Sequence, residues 1–324
     1  MQVRSEIGGG HGDEAICFYV LRFTFKAIDS IAFPPWKAAD TLRSGLGHSF
    51  RRTGCVLSCS DPATCEPGRT CPYVRIFRPK LLSAGPSGLA DRPRPFVIRA
   101  RHLNGCTIPA GDCFHVNIHL FLIDEDAVQC LVLAVAELAH LGIGPSHRRA
   151  VLSEVAVSTL NGAVLSNIYR DRKLLHNKLP CPECLQLQAA PVSARRVQIE
   201  FLSPTELKKG GVIVQEPQFP VLFSRLRDRI SALRNFYGPG LPSVDFRSLA
   251  TRSKCIRLVR WNGQHLTIER RTAHQTYPIG GSIGIAEYEG DLSEFLPYLE
   301  IGRWTGVGRQ TVWGKGEFTV EQLD

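Results

Sequence analysis

The sequence lacks any apolar run long enough to cross a membrane as a helix. Such a helix needs about 20 consecutive apolar residues. The apolar stretch at residues 15–25 contains Arg22 and follows Asp13 and Glu14. A secretory signal would require a basic start, an uninterrupted apolar run and small residues at a cleavage site. We therefore expect a cytoplasmic protein without a membrane partner.

Acidic side chains are scarce relative to basic ones. Lys and Arg number 39 against 30 Asp and Glu, which gives a net charge of +9. This excess favours a polyanionic partner, and the alternative is a basic protein without one. No carboxylates cluster at a spacing typical of a magnesium site. The length of 324 residues suits one large domain or two of ordinary size.

The chain contains two halves with matching patterns. Residues 130–157 and 291–320 each begin with a helical apolar period, followed by Gly-x-Gly, a basic turn and a strand pattern. Earlier in each half, a strand pattern (15–25 and 195–204) precedes a helical pattern (36–52 and 219–237), and further strand patterns follow. The order strand, helix, strands, helix, strand predicts an α+β protein with two tandem ferredoxin-like domains.

The predicted domain boundary lies near residue 190. The first domain would comprise residues 1–190, with a cysteine-containing insertion at about 54–72, and the second would comprise residues 191–324. Residues 170–190 show no clear period, which is typical of a junction.

Three stretches together resemble a known family. They are KAADTLRSGLGHSFRR (37–52), CPYVRIFRPK with PSGLADRPRPFVIRA (71–80 and 86–100), and TGVGRQTVWGKGEF (305–318). These stretches resemble the CRISPR-associated endoribonucleases that process precursor crRNA, the sixth Cas family within the RAMP superfamily. The resemblance extends from residue 15 or so to residue 324. It implies that the chain cuts precursor CRISPR RNA within its repeats, as part of antiviral defence.

The resemblance implies a metal-independent reaction in which the RNA's own 2′-hydroxyl attacks the phosphate. The products would be a 5′-hydroxyl and a 2′,3′-cyclic phosphate, and no cofactor would be required for the chemistry. The rival interpretation is a non-catalytic RAMP subunit that binds RNA in a CRISPR effector complex. Under either interpretation the partners would be the repeat RNA and other effector subunits. A zinc-dependent nucleic-acid binding protein unrelated to CRISPR is a third alternative.

Family members often place a catalytic histidine in the first helix, which here implicates His48. Histidine suits either proton-transfer role because its unperturbed pKa is about 6.5. Lys37, Arg51 and Arg52 lie nearby in sequence and would stabilise the phosphorane, and positions 48, 51 and 52 share one helical face. Tyr19 on the first strand would assist as a hydrogen-bond donor. A surface histidine that titrates without consequence is the alternative for His48.

The C-terminal glycine-rich loop is the predicted RNA-contacting element. Glycine allows positive φ and close backbone approach to phosphate oxygens, and tryptophan rings offer stacking faces for bases. A tight helix-to-strand turn is the alternative. The predicted RNA contacts outside the first helix are Arg303, Gly306, Gly308, Arg309, Gly314, Lys315 and Gly316, with Trp304 and Trp313 as stacking faces. The corresponding turn of the first half retains Gly142 and Gly144, and is followed by His147, Arg148 and Arg149.

Cysteines form a further group in the insertion. The spacing C-x3-C-x5-C-x5-C provides four thiolates in a segment rich in turn formers, which suits a structural zinc site; reduced thiols are the alternative. The proposed ligands are Cys55, Cys59, Cys65 and Cys71. In a cytoplasm we expect most of the 11 cysteines to be free or metal-bound. Cys181 and Cys184 form a C-x2-C pair, with His176 nearby, that provides too few ligands to close a metal site alone; this pair would combine with Cys106 or Cys113, or with nothing.

Two polar surfaces are expected to face solvent. His115, Asn117 and His119 share one face of a strand, where RNA binding is the alternative to a solvated face. His102, next to Arg99 and Arg101, is a weaker catalytic candidate. The basic residues of the 219–237 helix are also assigned to a solvated face. They are Arg225, Arg227, Arg229 and Arg234.

Overall fold

The computed structural model describes residues 14–55, 71–79, 92–175, 178–188, 193–271 and 276–323. The first half contains β1 (Ala15–Ala27), β2 (Ile31–Ala32), α1 (Ala38–Gly54), β3 (Phe96–Arg99), β4 (Thr107–Ile108), β5 (Cys113–Leu120), α2 (Glu125–Leu141), β6 (Ala150–Ser158), β7 (Val164–Arg170), β8 (Lys173–Leu174) and β9 (Glu183–Gln186). The second half contains β10 (Arg196–Thr205), β11 (Lys208–Lys209), β12 (Val212–Ile213), α3 (Phe219–Tyr237), α4 (Phe246–Arg252), β13 (Arg257–Leu266), β14 (Glu269–Arg271), β15 (Thr276–Pro278), β16 (Gly281–Glu289), α5 (Leu296–Thr305) and β17 (Phe318–Gln322).

Both halves have the strand order of a ferredoxin-like domain. The first sheet runs β3-β5-β1-β6 and continues through β7 and β8, while the second runs β13-β16-β10-β17. If the four main strands of each half are numbered in chain order, both sheets read 2-3-1-4, with antiparallel neighbours. The predicted pair of tandem ferredoxin-like folds is confirmed.

Local sequence signals explain where the main helices begin and end. Asp124 caps α2, because its side chain accepts a hydrogen bond from the Ala127 amide at 3.1 Å. Pro220 lies in the first turn of α3, where its missing N–H costs nothing, and Gly238 follows the last residue of that helix. Within the part of the chain that the structure describes, no helix combines the length and apolar character needed to span a bilayer.

The predicted junction contains more structure than its sequence period indicated. β7 and β8 extend the first sheet, and β9 pairs with the start of β1. The β1–β9 register places Cys17 opposite Cys184, and their sulfurs form a disulfide. The expectation that Cys184 is a metal ligand beside Cys106 or Cys113, or is unpartnered, is therefore wrong, because its sulfur is bonded to that of Cys17. A pairing between distant strands has no local signature, because it depends on sheet register.

The first sheet is buried on both faces. Helices α1 and α2 cover one face, and the second domain covers part of the other, where Phe18 and Phe121 join the second core. His119 lies on this covered face and is only 4% exposed. The predicted solvated face of β5 is therefore wrong at His119, because the second domain packs there.

The carbonyl end of α5 forms the centre of the contact between the two domains. Arg99 Nη2 donates to the Arg303 carbonyl at 2.9 Å, and His119 Nδ1 donates to the Trp304 carbonyl at 3.0 Å. Burial, followed by the charge of Arg99, lowers the pKa of His119 to about 3, so its imidazole is neutral at ordinary pH. The first domain thus supplies hydrogen-bond donors to the end of a second-domain helix.

Two arginines of α3 are also buried, contrary to expectation. Arg229 Nε donates to the Thr305 carbonyl at 2.7 Å, and burial lowers the pKa of Arg229 to about 9. Arg234 is 2% exposed and its guanidinium donates to the carbonyls of Ala15 and Gly240. Helical spacing alone did not predict these contacts. Which polar side chains of a helix become buried depends on the carbonyl acceptors that other elements bring against it.

Candidate active site

An open groove of about 850 Å³ lies where the two domains meet beside α1. One wall is α1, a second is the turn that follows α2, and the third is the β14–β15 hairpin of the second domain. The groove thus joins three elements that are distant in sequence. Because ligands bind in concave surfaces of this size, the groove is the natural candidate for a binding site.

One face of α1 lines the groove. Lys37, Thr41, Ser44 and His48 follow one another at intervals of four, three and four residues, which places them along one side of the helix. Residues on the other sides, such as Leu46, are buried in the first core. The His48 side chain is exposed. The structure therefore brings the predicted catalytic residues His48 and Lys37 to one surface.

Arg51 and Arg52 lie one turn beyond His48, outside the lining of the groove. Both are exposed, and Arg52 Nε pairs with Glu137 of α2 at 2.8 Å. Exposed pairs of this kind are weak, so they do not prevent Arg52 from contacting a phosphate. A role for both arginines in stabilising phosphate stays a prediction.

Tyr19 lies in a different place. It is 6% exposed within the first core, and burial raises the pKa of its phenol, with the nearby Cys181 and Glu125 adding to the effect. Glu125 begins α2, whereas the groove is lined by Leu138 and Leu141 at the other end of that helix. The structure does not bring Tyr19 together with His48, and this placement does not support a catalytic role.

A second histidine that the sequence did not single out for catalysis lines the same groove. His147 lies in the turn after α2, is exposed and has φ of +46°. The turn is compact, since a Cβ on Gly142 would lie 2.3 Å from the His147 backbone. The sequence identifies a basic turn after α2. That its histidine lies near the first helix depends on tertiary packing, which no local pattern predicts.

The hairpin wall is anchored to α1 by an ion pair. Arg270 Nε donates to the two carboxylate oxygens of Asp40 at 2.9 and 3.0 Å, and its Nη2 donates to Ser44 Oγ at 3.0 Å. Asp40 is only 6% exposed, so the pair is largely shielded from solvent. Arg270 was not predicted from sequence, because its partner lies 230 positions away.

The C-terminal glycine loop packs against protein on several sides. Gly306, Gly308, Gly314 and Gly316 all have φ between +69° and +80°. A Cβ would lie 1.9 Å from the Val307 carbonyl oxygen at Gly316, and 2.4 Å from the Glu206 carbonyl oxygen at Gly308. The loop's own backbone geometry therefore requires these glycines. Contact with an RNA backbone stays a prediction.

The basic residues near this loop have protein partners. Lys315 is 1% exposed and its Nζ donates to the Trp36 carbonyl at 2.9 Å; burial lowers its pKa to about 8. Arg309 pairs with Glu206 at 2.8 Å, and Arg303 pairs with Glu300 at 2.7 Å. Arg303 and Arg309 remain largely exposed, whereas the structure does not present Lys315 to a ligand.

The two tryptophans near the loop are occupied within the protein. Arg43 and Arg270 lie over the Trp313 ring, at 5.5 and 4.9 Å from its centroid. Trp304 packs against Phe18 and His119 in the contact between the domains. The expectation that these rings offer free stacking faces for bases is wrong, because arginine and core side chains already cover them.

The alternative histidine candidates lie outside the groove. His102 stacks on His115 with ring centroids 4.4 Å apart, and its Nε2 donates to the His115 carbonyl. Partial burial, with the charge of Arg22, lowers the pKa of His115 to about 4. His115 also bonds Arg22 through its Nε2, so it is poorly suited to proton transfer near neutral pH.

Half of the predicted cysteine group lies within the described residues. Cys55 Sγ and Cys71 Sγ are 3.9 Å apart, whereas Cys59 and Cys65 lie outside the described residues. Two thiolates of one tetrahedral zinc site are separated by roughly this distance, given Zn–S bonds of about 2.3 Å. Among the described side chains, no group of three or more metal-binding residues occurs. Zinc binding stays a prediction.

Comparison with known proteins agrees with the fold. The N-terminal domain family AF_1859_N matches residues 16–181, and the family of CRISPR-associated endoribonuclease Cas6 matches residues 199–318. A search of the curated proteins found no match.

Several solved structures share the fold. Thermus thermophilus Cas6 has a TM-score of 0.52 at 12% identity, covering 96% of this chain and 100% of that one. A Cas6 product complex has a TM-score of 0.50 at 15% identity, covering 95% and 100%. A partial Cas6-RT-Cas1–Cas2 complex has a TM-score of 0.56 at 11% identity, covering 95% of this chain but 46% of that one. The Cas6 model thus matches most of the second half, and these structures show that the chain has the fold of Cas6 proteins over nearly its whole length.

Proposed function

We propose that the chain cuts precursor CRISPR RNA within its repeats at the groove beside α1, by metal-independent attack of the 2′-hydroxyl. The observation that carries this proposal is the exposed imidazole of His48 in a groove that also contains Lys37. A histidine and a lysine on one helix face provide both a proton-transfer group and a cation for the phosphate.

The proposed reaction exchanges one phosphorus–oxygen bond for another. The 2′-oxygen forms a bond to phosphorus as the bond to the 5′-oxygen breaks, which leaves a 2′,3′-cyclic phosphate and a 5′-hydroxyl. A base must take the 2′-hydroxyl proton, and an acid must protonate the departing 5′-oxygen. His48 would perform one of these roles, and Lys37 would stabilise the negative charge on the phosphorane.

RNA would approach over a positively charged surface. Arg51 and Arg52 extend it beyond His48, and the exposed Arg303 and Arg309 lie at the glycine loop. In the proposal these arginines contact phosphates along the repeat, with the glycine loop guiding the backbone. One of the matched structures is a Cas6 product complex, so a protein of the same fold binds its own reaction product.

We also propose that zinc supports the structure near α1 rather than the chemistry. Cys55 follows the last residue of α1, and its sulfur already lies beside that of Cys71. Cys59 and Cys65 would complete the set. Metal analysis of the pure protein should give about one equivalent of zinc. Full stability without bound metal would leave the cysteines as plain thiols.

The decisive experiment uses pure protein and repeat RNA in EDTA. Cleavage should continue in EDTA and stop when a 2′-deoxy nucleotide replaces the one at the cut site. The alanine variant of His48 should cut about 10²–10⁴ times more slowly while binding RNA almost normally, because a neutral histidine neutralises no phosphate. A chemical step that needs added Mg²⁺ would contradict the mechanism, and tight binding without cleavage would favour a scaffold role.

A further inference from the structure

We infer that His147 is the second proton-transfer residue of the cleavage site, paired with His48 across the groove. The inference rests on the proposed function. It starts from a requirement of the chemistry: one group must accept the 2′-hydroxyl proton while another protonates the 5′-oxygen. A single histidine cannot do both at the same time, so the groove needs a second group with a suitable pKa.

His147 is the only other histidine among the described residues that line the groove. Lys37, Arg270 and Glu269 also line the groove, but the ordinary pKa values of lysine, arginine and glutamate side chains lie more than two units from neutrality, which suits them poorly to proton transfer there. Asp40 is nearly buried and accepts two hydrogen bonds from Arg270. His147 is exposed and opposite α1, so its imidazole is open to a phosphate in the groove.

The backbone around His147 is held in an unusual conformation. His147 has φ of +46°, which is uncommon for a residue other than glycine. Its amide donates to the Gly144 carbonyl at 3.1 Å, and Ile143 and Arg148 exchange two hydrogen bonds across the turn. Residues kept in such conformations cluster at functional sites because the surrounding structure must fix them.

The approach of this turn to α1 is also fixed. Gly142 has φ of +108° and leaves no room for a Cβ beside the His147 backbone. A Cβ on Gly144 would lie 3.2 Å from Thr41 Cγ2, on the same face of α1 as His48. The turn is thus seated directly against the helix that carries His48, which fixes the backbone of His147 relative to that helix.

In the proposed step the two histidines act on the two oxygens of the reacting phosphate. One neutral imidazole takes the proton from the 2′-hydroxyl, and the other, protonated, gives its proton to the 5′-oxygen as the P–O5′ bond breaks. No electrons are transferred to or from any other group. Both histidines return to their starting states by exchanging protons with water after the products separate.

The test is single-turnover cleavage in EDTA by His147→Asn, because asparagine tolerates positive φ but transfers no proton. The matched control is His140→Asn, an exposed histidine in the last turn of α2 that does not line the groove. His147→Asn should cut about 10²–10⁴ times more slowly, and the control should cut at the wild-type rate. His147→Gly, which also fits the turn, should behave like His147→Asn. Melting temperature and RNA affinity should stay near wild type for all three.

A second substrate separates the catalytic role from a structural one. Repeat RNA with sulfur in place of the 5′-oxygen at the mapped cut site needs no acid, because a thiolate leaves unprotonated. Among His48→Ala and His147→Asn, one variant should regain the wild-type rate on this substrate, and the other should not. Rescue of both or neither, or a near-normal rate of His147→Asn on ordinary RNA, would overturn the inference. If wild-type protein does not cut repeat RNA at all, the proposed function fails as well.

Discussion

The two glycine turns occupy equivalent positions in the two ferredoxin-like domains, yet their surroundings differ sharply. Each follows the last helix of its domain and precedes the last strand of that domain's four-strand core. The first turn is exposed from Pro145 to Arg149 and lines the groove. The second is packed against Glu206, Trp36 and its own backbone, and its lysine is buried.

The difference shows that the loop with the more conspicuous glycine pattern need not be the one that lines the groove. The C-terminal loop has four glycines because its path allows no Cβ, and its Lys315 reaches into the first domain to bind the Trp36 carbonyl. That loop therefore stabilises the contact between the two domains. The less conspicuous first turn presents a histidine to the groove. One turn thus stabilises the contact between the halves while the other stays open to the groove.

The strongest test of this comparison is Gly316→Ala. Its Cβ would lie 1.9 Å from the Val307 carbonyl oxygen, so the variant should lose about 4 kcal/mol of unfolding free energy or fail to fold. Gly162→Ala is the matched control, since Gly162 has φ of +85° with nothing within 4 Å of its Cβ. The control should lose about 1–2 kcal/mol. Urea denaturation measures both, and equal losses would show that φ alone, rather than packing, explains the loop.

The next test uses the buried ammonium of Lys315. Its pKa is lowered to about 8 in the folded protein, mainly by burial, against an ordinary value of 10.5. The unfolded chain therefore binds more protons between pH 8 and 10.5, and stability should rise with pH in that window. Wild-type protein should gain about 3 kcal/mol relative to Lys315→Met over this range. Denaturation curves at pH 7.5 and 10.5 for both proteins measure the difference. If the unfolding free energies of wild-type protein and Lys315→Met changed with pH in the same way, Lys315 would be solvated in the folded protein.

The smallest expected effect concerns RNA. Arg148→Ala in the first turn and Arg309→Ala in the second should each lower the salt dependence of repeat RNA binding by about 0.7, if each contacts one phosphate. Melting temperatures should change little, because both side chains are exposed. Lys315→Met should leave the salt slope unchanged. An unaltered slope for Arg309→Ala, with a reduced one for Arg148→Ala, would remove the C-terminal loop from the RNA surface.

The sequence predicts elements well where the signal is local. The helix at residues 219–237 follows from its apolar period and its turn formers. The succession of strands and helices along both halves follows from the same local signals. His48 and Lys37 share the groove because both lie on one helix, where spacing determines the face.

Features that depend on contact between distant segments could not be read in this way. His119 and Arg234 lie at positions where the sequence pattern predicts solvent-exposed polar side chains. Each is instead buried and donates a hydrogen bond to a carbonyl of the other domain. The Cys17–Cys184 disulfide depends on sheet register across 167 positions. His147 belonged to a recognisable turn, but nothing local placed that turn against α1. Tertiary packing decides such features, and one sequence contains no direct record of it.

The hydrogen bonds at the carbonyl end of α5 bear on whether the two domains can be produced as separate fragments. Arg99 and His119 donate to that end from the first domain, while Arg229 donates from α3 of the second. A first domain made alone would expose Phe18 and the neighbouring apolar side chains that the second domain covers, together with Arg99 and His119. The two halves are therefore obligate partners within one cooperative folding unit. Separate expression should yield insoluble fragments, and co-expression should restore a soluble complex.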